Sequence, residues 1–97
     1  MFADLHIETG PMIDLAVELE ASAKRVSDVA DKLQDRRTDF LQSTAGAASD
    51  AGVAQMQVMI DQLYIRSGKL TRNAKVMRKL VALYEQTDLA GARSFGA

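Results

Sequence analysis

The chain has no cysteine and no tryptophan, one proline, one histidine and 5% aromatic residues. The missing cysteine excludes disulfides, thiolate metal ligands and cysteine nucleophiles together. His6 has no second histidine and no paired carboxylates beside it in sequence, so it reads as an ordinary polar residue. No nucleophile, base and orienting acid can be assembled, and neither a glycine-rich phosphate loop nor a metal-ligand spacing is present. No enzyme activity and no cofactor are expected. Neither charge is in excess: 12 basic and 13 acidic residues leave a net charge of −1, with no drive towards nucleic acid or an anionic membrane. No uninterrupted apolar stretch approaches a membrane span, and stable membrane anchoring is not expected. The first ten residues carry Asp4 and Glu8 and lack both a basic start and an apolar run, so a cleaved signal peptide is not expected.

What is present is helical patterning. From residue 53, Val53, Met56, Ile60, Leu63, Ser67, Leu70, Ala74, Met77, Val81 and Tyr84 follow one another at steps of three and four, with Asp88 four residues on. A helix turns once per 3.6 residues, so all of these side chains share one stripe. A second stripe runs through Met12, Leu15, Leu19, Ser22, Val26, Val29, Leu33, Arg36 and Phe40, with Arg36 able to lay its stem on the seam and reach water with its guanidinium. Pro11 suits a first helical turn, where its missing N–H costs nothing, and Thr9 or Gly10 suits the cap before it. Residues 43 to 52 break both patterns: Gly46 can end one helix, and Ser49 or Asp50 can cap the next. A connection this short forces the helices antiparallel. The expected fold is all-α: an arm over 1–10, a helical hairpin over 11–88 (helix about 11–43, turn about 44–50, helix about 51–88), and a flexible tail over 89–97.

Folding back about residue 48 pairs Leu33 with Leu63, Val26 with Leu70, Leu19 with Met77, Leu15 with Val81, and Met12 with Tyr84, where the ring can close the end of the seam. It also sets Ser22 against Ala74, where the helices could come close, and brings Asp28 and Glu18 near Lys69 and Arg78. Exposed ion pairs contribute only about 0.2 to 1 kcal/mol each, against roughly 1.5 to 3 kcal/mol for each fully buried large aliphatic side chain. Burial of the seam therefore drives folding. Off the seam lie Ile13 and Val17 on the first helix and Val58, Met59, Ile65, Val76, Leu80 and Leu83 on the second. That many unclaimed apolar positions imply a partner surface, and a hairpin pairing with another hairpin, the same or different, makes a four-helix bundle.

Two charged stripes accompany the seams. Asp28, Asp31, Asp35 and Asp39 share a face of the first helix, but Lys32 stands among them and no histidine is spaced to complete a metal site. Arg66, Lys69, Arg72, Lys75, Arg78 and Lys79 make the middle of the second helix basic without interleaved aromatics, which suits an acidic helix better than a nucleic acid.

Two long helices in about a hundred residues, no signal peptide, and Tyr84-x-x-x-Asp88 near the end of the second helix resemble the WXG (ESAT-like) family exported by type VII secretion systems. The opening Ala3-Asp4-Leu5-His6-Ile7 and the short Ala-rich tail after Asp88 are similar to its EspC-like branch in particular. The Trp-x-Gly that names the family is absent: residues 43 to 52 offer Gly46 and Gly52 and no tryptophan. The resemblance implies an export substrate or its targeting partner, carried as a folded helical dimer and recognised through Tyr84 and Asp88 by the secretion ATPase. It implies cytoplasmic synthesis and then secretion without a cleaved signal. A small helical chaperone or adaptor for a larger toxin of the same system is the alternative it allows, and a structural coiled-coil module is the alternative outside it.

Overall fold

A computed structural model describes the backbone of residues 8–43 and 47–96 and the side chains of residues 8–42 and 50–87. Two helices, α1 (Thr9–Ser43) and α2 (Ala47–Gly96), fold back on each other as an antiparallel hairpin 76 Å long and 17 × 15 Å across. At 1.5 Å per residue a helix of fifty residues spans about 75 Å, so α2 alone sets the length of the molecule. α1, with 35 residues, covers only part of it.

Both helices exceed the spans expected from the sequence. α1 begins at Thr9, so Pro11 still falls in the first turn, where no intrahelical donor is lost. α2 begins at Ala47 and not near residue 51, which puts Asp50 inside its first turn. A carboxylate there faces the positive end of the helix dipole. α2 also runs past Asp88 to Gly96, through a stretch expected as a flexible tail. The residues expected as an N-terminal arm lie outside the described residues up to position 7, as does Gly46 in the turn.

The α2 seam is the one its spacing predicts: Ile60, Ala74 and Val81 are buried, and Val53, Met56, Leu63, Ser67, Leu70 and Met77 are half-buried between them. On α1 the seam is rotated by one residue at every second position. Ala16, Ala23 and Ala30 are buried, whereas Leu15 and Val29, expected in the seam, stand 45% and 48% exposed. Met12, Leu19, Val26, Leu33 and Phe40 keep their expected places and are half-buried. The physical reason is close approach. An alanine every seven residues presents only a methyl group to the facing helix, so the backbones come near enough for the Ser67 hydroxyl to donate a 2.8 Å hydrogen bond to the Ala23 carbonyl. A leucine in those places would hold the helices apart.

The same rotation exchanges the arginines. Arg36 is exposed, and Arg37 is the half-buried one, its Nε shielded without a hydrogen-bond partner. The register shifts with it. Ala23 meets Ser67 and Phe40 lies over Gly52, both placing the fold-back before residue 48. Ser22 does not mark the close approach; its hydroxyl accepts a 2.9 Å hydrogen bond from Arg25 on its own helix.

Candidate functional site

Seen end-on, the hairpin has two unlike sides. In an antiparallel pair, the residues that precede the closest seam positions on each helix share one side, and those that follow the intervening seam positions share the other. The second side is fixed by contacts. Glu20, which follows Leu19, pairs with Arg78, which follows Met77, through hydrogen bonds from Arg78 Nη2 (2.7 Å) and Nε (3.3 Å). Tyr64 donates its hydroxyl to Asp31 on the same side at 2.5 Å. Arg78 thus pairs with Glu20 and not with Glu18 as the sequence register suggested.

These contacts shift titrations in the expected senses. The hydrogen bond from Arg78 holds the Glu20 carboxyl below its ordinary value, against a smaller opposing effect of lost solvation, and the Arg78 guanidinium is raised in turn. The Tyr64 hydroxyl is raised, first because it donates to Asp31, then through lost solvation and the negative charges of Asp31 and Asp35. All these groups are exposed, so their energetic effect is small.

The first side is built from Leu15 and Val29, which precede Ala16 and Ala30, and from Met59 and Leu80, which precede Ile60 and Val81. Val76 and Leu83 lie one turn further round α2 on this side. Of the residues expected as a partner surface, Val58, Met59, Ile65, Val76, Leu80 and Leu83 are all exposed. Ile13 and Val17 face the other way: Val17 is exposed beside the ion-paired side, and Ile13 is half-buried there. Leu15 and Val29 take their place on the apolar side. An open groove of about 550 Å³ runs along this side of α2, lined by Met59, Gln62, Leu63, Ile65, Arg66 and Lys69.

The third feature is the C-terminal half-turn of the seam. Val81 is the last α2 residue described as buried; every residue from Ala82 to Thr87 is exposed. Tyr84 is 38% exposed, on the seam stripe but past the stretch that α1 covers. Asp88 follows one turn later within the same helix, its side chain outside the described residues. Thr87 between them is tied to the Leu83 carbonyl at 2.8 Å, so the backbone here is regular helix.

Among the described residues, no three acidic or imidazole side chains gather in a geometry for a metal ion. No helix there is long and apolar enough to cross a membrane. Compared with family models, curated proteins and solved structures, the chain matches none.

Proposed function

We propose that this chain is a type VII secretion substrate, or the targeting partner of one, exported as a folded helical dimer through Tyr84 and Asp88. The observation that carries the reading is the placement of Tyr84. Its ring lies 38% exposed where α2 emerges from beneath α1, and the helix continues through Asp88 to Gly96. Residues four apart on a helix share a face, so one receptor pocket, such as that of a secretion ATPase, can take the ring and the carboxylate together.

The experiment is export from a host that carries the secretion system. Tyr84→Ala and Asp88→Ala should each leave the chain in the cytoplasm, with helical content and melting temperature unchanged. Export of both variants at the parental level would remove the motif from the account.

A second reading, a small helical chaperone or adaptor for a larger toxin of the same system, draws support from the exposed apolar side of the hairpin. Secretion of the chain by itself at the level seen with its neighbouring gene products would count against it.

A further inference from the structure

Six cations, Arg66, Lys69, Arg72, Lys75, Arg78 and Lys79, fall in a stretch of α2 that has no acid from Gln62 to Tyr84. The acidic helix beside them answers only one: among the described residues, Arg78 with Glu20 is the one ion pair that these cations make. Their places on the helix explain why. Arg72 and Lys79 stand two residues after the seam positions Leu70 and Met77 and two before Ala74 and Val81, so they point directly away from α1. Lys69 and Lys75 flank them, and all four are exposed. Asp28 and Asp35 hold the equivalent outward places on α1, two residues after Val26 and Leu33, on the far side of a hairpin 17 × 15 Å across. The field of an exposed charge fades over about 8 Å at physiological salt, so α1 leaves this ridge of α2 cationic.

The surroundings of the four cations select among anionic partners. A helix docks by burying an apolar stripe, and the centre of this face is charged. A helix lying on a membrane keeps its cations at the borders of an unbroken apolar face, whereas Arg72 and Lys79 interrupt the line that Val58 and Ile65 begin. A nucleic-acid single strand stacks its bases on aromatic rings, and between Tyr64 and Tyr84 there is none. An Asp- and Glu-rich stretch of disordered polypeptide needs charge contacts and little apolar burial, which is what this face offers. The spacing suits it as well. Lys69 to Lys79 covers about 15 Å of helix axis, and three carboxylates at alternate positions of an extended chain cover about 13 Å on one face.

We infer that the outward ridge of α2 binds an extended acidic segment of another polypeptide, its carboxylates meeting Lys69, Arg72, Lys75 and Lys79. The ridge faces away from α1 and lies on a different face of α2 from the seam stripe that ends in Tyr84. Binding of the acidic segment reads the cations, and export reads Tyr84 and Asp88, so either can fail alone.

The test uses the full chain and two fluorescent peptides, one of alternating Glu and Ser and one of alternating Lys and Ser, followed by anisotropy. The Glu peptide should bind and the Lys peptide should not, and raising salt from about 0.1 M to about 0.5 M should weaken binding at least about ten-fold. Arg72→Glu, Lys75→Glu and Lys79→Glu together should weaken it at least about ten-fold at the lower salt, and the three Gln substitutions by a smaller factor, with helical content unchanged. Lys24→Glu, Lys32→Glu and Arg36→Glu together make the same change of net charge on α1 and should stay within about three-fold of the parent. No binding of the Glu peptide, an equal loss in both triple Glu variants, or tighter binding of an oligothymidylate or of phosphatidylglycerol vesicles would each overturn the inference.

Discussion

Ala16, Ala23 and Ala30 decide how near the helices lie, and the Ser67–Ala23 hydrogen bond records that distance. Ala23→Leu should therefore destabilise the hairpin by about 1 to 3 kcal/mol through overpacking, read as a lower urea midpoint. An unchanged midpoint would mean the seam is loose. Arg37→Leu should do the reverse. It removes a shielded Nε that has no partner and adds apolar contact, for a gain of about 1 kcal/mol. Glu20 gives a prediction with a sign. Its carboxyl is held below the ordinary value of 4.5 by Arg78, so its contribution is present above that value and lost as pH falls through the lowered one. Urea midpoints should consequently fall more steeply with acid for the parent than for Glu20→Gln. The rotated α1 seam was written in the sequence, as three alanines at seven-residue spacing, but it competes with Leu15 and Val29 on the same pattern. Transfer free energy favours burying the larger side chains; the geometry of a close antiparallel pair favours the smaller ones. Only the second helix, whose own side chains at Ser67 and Ala74 are small, resolves the contest.

At the scale of the helices, the three-four spacing sufficed for two antiparallel helices and for the whole α2 stripe from Val53 to Val81, although Val76, Leu80 and Leu83 repeat the same steps on a neighbouring face. Helix ends were less legible. Ala47 and Ala48 are strong helix formers, and so are Leu89, Ala90 and Ala92, so α2 extends in both directions beyond the last seam residue that marks it. The exchange of arginines descends from the one-residue rotation of α1, and the shifted fold-back from the early start of α2 at Ala47. Within α2, Gly68 is an exposed interior glycine, and a Cβ there would meet nothing within 4 Å. Gly68→Ala should raise stability by roughly 0.5 to 1 kcal/mol, because alanine loses less backbone freedom on entering a helix. A lower melting temperature would show that the backbone at Gly68 serves a contact the hairpin alone does not contain.

At the scale of the molecule, a narrow hairpin 76 Å long presents three unlike regions: an ion-paired side, an apolar side, and a projecting helix end with Tyr84. In the proposed function, this division separates pairing from recognition. A partner can cover the apolar side while the end of α2 stays open to a receptor. The two tyrosines allow this to be tested within one chain, because Tyr64 and Tyr84 are equally accessible, at 40% and 38%, and differ in place. Tyr64 reaches across to Asp31 within the covered stretch, and Tyr84 stands beyond it. The decisive measurement is the exported fraction of Tyr64→Ala and Tyr84→Ala, side by side in the secreting host. Export retained by the first and lost by the second is the predicted result; equal export of both would contradict the proposed signal.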